Sequence, residues 1–223
     1  MSKIKVQHFS DILCIWAYVS EVRVQELKSN FGDQIELDFR TLGVFGNVQG
    51  KMQAGWASKG GVAGYAEHVH DIAGQFPHVA IHPRLWVQRT PRSSLPGHLY
   101  LCAVRIAEQA AIAAPGSCEK FATQMRLAFF AEAMDISDAS VIRSILTRMS
   151  LSVPGVEAFL SSGEAHAKLA EDMQMAKDLD IRSSPTMLFN EGRQRLAGNV
   201  GYRIIEANIR ELLERPIAQH SWC

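Results

Sequence analysis

The chain has 223 residues, 47% of them hydrophobic, which is enough to bury a substantial core. Its 23 Lys and Arg balance 23 Asp and Glu and the isoelectric point is about 7.1, so nothing in the charge suggests a nucleic-acid footprint or a polybasic membrane patch. No apolar run approaches a membrane span, and none near the start resembles a signal peptide, so a cytoplasmic protein with reduced thiols is expected.

Lys3 to Phe9 reads as a strand, with Ile4 and Val6 alternating against Lys3 and Lys5. Trp16 to about Ser29 reads as a helix. Cys14 falls in the turn between them, where the first, unpaired N–H groups of a helix and its dipole favour a thiolate over a thiol. A lowered thiol pKa and a nucleophilic role are therefore expected. The alternative is a small buried residue, because free Cys is among the most buried residue types. Asp11 is expected to cap the helix, since a carboxylate too close to the sulfur would raise its pKa. Trp16 is either a half-exposed platform beside the thiol or a core anchor.

Gln34 to Arg40 alternates cleanly and should be the second strand, completing a βαβ unit. From Thr41 to about Arg92 the pattern loosens, with seven glycines between Gly43 and Gly64, so the segment is expected to be mostly loop, with one helix around Tyr65 to Phe76. Such a loop is either one wall of a substrate cleft or a plain connector. Helices are then expected over Leu95 to about Ala114, from an N-cap at Ser117 to about Met134, around Val141 to Met149, from Pro154 to Leu160, and from Glu164 to Leu179. Pro185 opens an apolar strand, where its missing N–H costs no ladder bond; Gln194 to Ala197 make another, and a last helix runs from about Gly201 to Pro216.

Asp11-Ile12-Leu13-Cys14-Ile15-Trp16-Ala17-Tyr18 stands where the DsbA family has Asp-x-x-Cys-Pro-Trp-Cys-Tyr, and Ile181 to Thr186 matches its Gly-Val-x-Gly-x-Pro-Thr stretch. The chain thus resembles that family, in the branch that includes 2-hydroxychromene-2-carboxylate isomerases and kappa-class glutathione transferases. The resemblance implies an α/β fold: a thioredoxin-like core (βαβ … ββα) from residues 1–45 and 180–223, with a loop and mainly α-helical insertion over 46–179. It also implies a cis bond before Pro185, with the Ser184 backbone beside the sulfur, ready to pair with a peptide or with glutathione. Ile15 replaces the usual Pro and Ala17 the second Cys, so the site is C-x-x-A and no dithiol cycle can run within it.

In kappa-class relatives the region before the last helix holds a glutathione carboxylate. Asn199 is the matching polar residue here, and it is either that ligand or a helix cap. His98 lies near a family Ala-His-Arg pattern whose neighbours are replaced by Gly97 and Leu99, and no catalytic role is assigned to it. His68, His70, His78 and His82 do not make a convincing metal site, and no metal is expected. Of the other cysteines, Cys102 and Cys118 lack a reactive context, while Cys223 is either a resolving thiol or part of a flexible tail.

The leading expectation is a glutathione-linked thiol–disulfide oxidoreductase working through Cys14 alone, with glutathione as cosubstrate and a small-molecule or disulfide substrate. A glutathione-dependent isomerase or transferase acting on an aromatic substrate is the second reading, although those relatives typically place Ser where Cys14 stands. A non-catalytic thioredoxin-fold binding protein is the third. No nucleic-acid or membrane partner is expected, and a homodimer is left open.

Overall fold

The computed structural model describes residues 3–190 and 192–214. Its order is β1 (Ile4–Ser10), α1 (Ile15–Phe31), β2 (Ile35–Thr41), α2 (Val48–Trp56), α3 (Gly61–Ala73), α4 (Leu95–Gln109), α5 (Ser117–Phe130), α6 (Ala139–Arg148), α7 (Val153–Ser161), α8 (Glu164–Asp178), β3 (Thr186–Phe189), β4 (Gln194–Ala197) and α9 (Tyr202–Glu214). The sheet order is β2-β1-β3-β4. β1 pairs β2 in parallel, Val6 opposite Leu37, and pairs β3 antiparallel, Val6 opposite Phe189. This is a thioredoxin-like fold, mostly helical, as the resemblance implied.

The strand alternation decides which helix covers which face. Ile4, Val6, Ile35 and Phe189 pack against Val24, Leu27 and Phe31 of α1 and against Ile205, Ile209 and Leu212 of α9. On the other face Phe9, Leu42 and Leu188 meet Ala176 of α8. The first turns of α1 do something different. Cys14, Ile15, Ala17, Tyr18 and Val19 belong to a larger apolar cluster built from α2 to α8. One helix therefore spans two cores, its start in the helical lobe and its end on the sheet.

Four sequence expectations need correction. The segment 41–92 holds two helices, α2 and α3, where only one, around Tyr65 to Phe76, was expected. Asn47 caps α2 by accepting the Gly50 N–H at 2.9 Å, and its glycines are tolerated because Val48, Met52, Tyr65, Ala66 and Val69 are buried in the lobe. Gly60, at φ +88°, takes the left-handed turn between the two helices that a side chain would resist. Ser117 is not the N-cap of α5. Gly116 holds that position, and the carboxylate of Glu108 accepts the Gly116 and Cys118 N–H groups at 2.7 and 2.8 Å, so a neighbouring helix satisfies the orphan donors. Finally, α4 stops at Gln109, five residues before Ala114, since Ala111 turns to φ +57°, and α5 stops at Phe130 rather than Met134.

Candidate functional site

Cys14 occupies the N-cap position of α1 with extended backbone, and its side chain makes no capping bond. The sulfur instead donates to the Ser184 carbonyl at 3.2 Å. The Ser184–Pro185 bond is cis, as the resemblance implied, and it turns the Ser184 backbone toward the α1 start. Ser184 also accepts the Asp11 N–H on its hydroxyl at 2.9 Å, and the Pro185 carbonyl accepts the Gly198 N–H at 2.7 Å. Two segments 170 residues apart are thereby locked edge to edge, with the thiol in the seam.

Asp11 does not cap α1. It is fully buried, and its carboxylate accepts the Leu13 N–H at 2.9 Å, the Phe45 N–H at 2.8 Å and the Ser94 hydroxyl at 2.8 Å. Three donors from three segments satisfy a buried carboxylate, which is the condition for keeping one in an apolar interior. Its service is to the loop that carries Cys14 rather than to the helix dipole. His98 also enters here, a residue to which sequence reasoning gave no role. Its Nε2 accepts the Ile12 N–H at 3.2 Å, so the proton sits on Nδ1. Burial, outweighing the attraction of Asp11, pushes its pKa down, and the 3.8 Å approach of Nε2 to Asp11 is therefore no ion pair. Residues 11, 12 and 13 each have their N–H tied to a distant side chain or a tight turn. The thiol is thus held by a preorganised loop.

The lowered thiol pKa expected from the helix start is corrected by burial. Cys14 is only 7% exposed, and desolvation pushes its thiol above the ordinary value. The Ser184 side chain and the Ala17 N–H pull the other way, Asp11 adds to the rise, and the Trp16 N–H again opposes it. Helix-start donors are present, then, but desolvation outweighs them in this closed arrangement.

Trp16 is half-buried, with its ring edge-to-face on Phe76 at 6.2 Å. The segment after α3 lies over this end of α1: Tyr18 stacks on Phe130 at 4.7 Å and donates to the Ala80 carbonyl at 3.1 Å, and His78 Nε2 bonds the Val19 carbonyl at 3.1 Å. Phe45, Tyr65 and Trp86, all from 41–92, share the apolar cluster of Cys14. That segment packs against the thiol's surroundings, as the cleft-wall reading requires. Asn199 stands apart from that cluster. It is exposed, its side chain accepts from Arg23, and among the described residues it caps no N–H of α9. Cys102 and Cys118 are pushed up to about 12 by burial, which leaves them as thiols. Cys223 lies outside the described residues, as does Pro216. A groove of about 1000 Å³ runs over β1 and β2, and none of Asp11, Cys14, Trp16, Ser184 or Pro185 lines it. Among the described residues no three or more His, Cys, Asp or Glu side chains are grouped to hold a metal, and no helix is long and apolar enough to cross a membrane.

A buried cysteine at a helix start, facing the carbonyl before a cis-proline, invites comparison with known proteins. A family model for the DSBA-like thioredoxin domain matches residues 5–210. This chain belongs to that family. No curated protein matches it. Among solved structures, one from Nitrosomonas europaea that carries a provisional protein disulfide isomerase name superposes with TM-score 0.74 at 16% identity, covering 99% of this chain and 100% of that one. The cytosolic disulfide reductase DsbM from Pseudomonas aeruginosa gives 0.67 at 18%, over 93% and 99% of the two chains, and has also been solved with GSH. A 2-hydroxychromene-2-carboxylate isomerase gives 0.67 at 14%, over 95% and 97%. At such identities these likenesses establish the fold.

Proposed function

We propose that this DSBA-like protein is a glutathione-linked thiol–disulfide oxidoreductase that works through Cys14 alone. One observation carries the reading: the Cys14 sulfur lies 3.2 Å from the Ser184 carbonyl before a cis-proline, while Ala17 stands where a second thiol would be needed. The Cys14 thiolate attacks one sulfur of a substrate disulfide. A Cys14–substrate disulfide forms, and the other sulfur departs with the electron pair as a thiolate. A glutathione thiolate then attacks the substrate sulfur, freeing Cys14, and a second glutathione releases the substrate as a thiol. The sum is one disulfide reduced to two thiols and two glutathiones joined as their disulfide. Ser184 and Pro185 border the sulfur and Trp16 supplies an apolar ring near it, so the Ser184 backbone is the docking edge for the γ-glutamyl-cysteinyl-glycine chain. Asn199, paired with Arg23, is a candidate for its carboxylate. The GSH complex of the cytosolic reductase supports the cosubstrate, and its location supports a reducing compartment.

A second reading, a glutathione-dependent isomerase or transferase on an aromatic substrate, is favoured by the elevated Cys14 pKa and by the isomerase among the structural neighbours. Substrate tests separate the two. A small disulfide probe should be reduced only with glutathione present, Cys14→Ser should abolish this, and truncating Cys223 should leave it. An unchanged rate in Cys14→Ser refutes the redox mechanism. Loss on truncation alone makes Cys223 the resolving thiol. Conversion of an aromatic electrophile without any disulfide turnover moves the protein to the second reading.

A further inference from the structure

We propose that the Tyr65 hydroxyl is the hydrogen-bond donor to the sulfur anion that departs when Cys14 opens a disulfide. The inference rests on the redox reading of Cys14, but not on glutathione.

The chain has four tyrosines, and three of them use their hydroxyls. Tyr18 donates to the Ala80 carbonyl at 3.1 Å, Tyr100 donates to Glu157 at 2.6 Å, and Tyr202 accepts from Asn30 at 2.7 Å. Tyr65 has no such bond among the described residues, although it is only 6% exposed. A buried phenol normally finds a partner for its O–H. The Tyr65 oxygen is not wholly sealed from solvent.

Its surroundings fix the ring and not the hydroxyl. Trp56 and Trp86 stand edge-to-face with it, both at 5.0 Å, and Phe45 lies tilted at 5.9 Å. Phe45 is the residue whose N–H binds Asp11, and α3 packs on α1, so the same contacts that set the Cys14 loop set Tyr65. Tyr65 and Cys14 belong to one apolar cluster. After burial, the two groups that act most on the phenol are Cys14 and Asp11, both as negative charges, and together they hold it well above the usual phenol range. A phenol in that state keeps its proton and can only be a donor to an anion. Asp11 does not serve as that anion in this structure: its carboxylate accepts from Leu13, Phe45 and Ser94, and Tyr65 makes no hydrogen bond to it.

The reaction supplies the missing acceptor. As Cys14 Sγ bonds the near sulfur of a disulfide, the S–S bond breaks and its electron pair stays on the far sulfur, in a site poor in water. Tyr65 O–H stabilises that charge until the thiolate leaves and takes a proton from solvent. A donor aimed at charge that develops only in the transition state lowers the barrier without tightening ground-state binding.

The test is the single-turnover reaction of Cys14 in the full chain, without glutathione, against two disulfides. An alkyl disulfide such as cystamine has a poor leaving thiol; the bis-nitrobenzoate aryl disulfide has a good one. Tyr65→Phe keeps the ring packing and removes the hydroxyl, so its melting temperature should match wild type. The alkyl reaction should slow about 10-fold or more, as expected for loss of a hydrogen bond to a charged group, and the aryl reaction by no more than about 2-fold. Equal slowing of both, or of neither, overturns the inference and leaves the proposed function standing. Selective slowing in a protein that shows no turnover with glutathione keeps the inference and removes the cosubstrate. A wild-type Cys14 inert to both disulfides overturns both.

Discussion

Acid should unfold this protein through His8, and removing that imidazole should relieve much of the effect. His8 sits on β1 with 2% exposure, and neither ring nitrogen has a hydrogen-bond partner among the described residues. Its ring meets Phe39 edge-on at 5.6 Å. Burial, and then the positive charge of Arg126, push its pKa down from 6.5 to about 3. The unfolded chain therefore binds this proton below pH 6.5, and the native chain only below about 3. Stability is complete above pH 6.5, falls as the pH drops through that window, and reaches its floor near pH 3. With about 1.36 kcal/mol per pH unit, His8 alone costs about 2 kcal/mol at pH 5 and about 5 kcal/mol at the floor. That is a large share of a net stability of about 5–15 kcal/mol. His8→Leu keeps the volume and removes two unsatisfied nitrogens, so it should be at least as stable as wild type at pH 7.5. By urea unfolding at pH 5 it should exceed wild type by about 2 kcal/mol more than it does at pH 7.5. An identical pH dependence in the two proteins refutes the assignment of a neutral, buried His8.

Three further outcomes are expected. Iodoacetamide should alkylate Cys14 in the ligand-free protein with a midpoint above the ~8.5 of a free thiol, because desolvation is the largest influence on it; a midpoint below about 7 would mean the helix-start donors win. Asp11→Asn leaves one acceptor oxygen for three donors and should cost about 1.5–3 kcal/mol in denaturant unfolding. By removing the negative charge that raises Cys14, it should also lower the alkylation midpoint, and an unmoved or higher midpoint contradicts that electrostatic link. Asp172→Ala should cost about 3–5 kcal/mol, since the buried carboxylate takes Arg40 at 3.1 Å, Arg105 at 2.9 Å and both donors of Thr41 at 3.0 Å; a loss below about 1 kcal/mol would show the network is dispensable.

What could be read from the sequence was what is local. The alternation of Ile4 and Val6, the turn at Cys14 and the Ser-Pro-Thr strand each sit within a few residues, and β1, α1, β3 and the cis bond appear where they were expected. The two helices in 41–92 were obscured because Gly50, Gly55 and Gly64 lower intrinsic helix propensity, and only packing against the lobe restores it. The role of Asp11 was unreadable for a similar reason: its partners Phe45 and Ser94 are 34 and 83 residues away. The same holds for His98, 86 residues from Ile12, and for Tyr65, whose sequence signal was its place in an expected helix within a segment read as either a cleft wall or a connector. The direction of the Cys14 pKa went the wrong way because a helix start is visible in sequence and desolvation is not.

The corrected pKa bears on how a single-cysteine site would operate. A thiol raised by burial keeps little thiolate when the site is closed, yet the thiolate it does form is intrinsically more nucleophilic. Phe76, His78 and Ala80, from the segment after α3, meet the first turns of α1 through one aromatic edge and two backbone-carbonyl bonds, to Trp16, Val19 and Tyr18. In the loop that carries Cys14, the Asp11 carboxylate binds Leu13, Phe45 and Ser94 within 3 Å. Rehydrating the sulfur would lessen the largest influence holding the proton, while the Ala17 and Trp16 N–H groups remain to stabilise the charge. A reactive thiolate would then form as the site opens to a disulfide, and a closed protein would protect its one active-site thiol from unproductive oxidation.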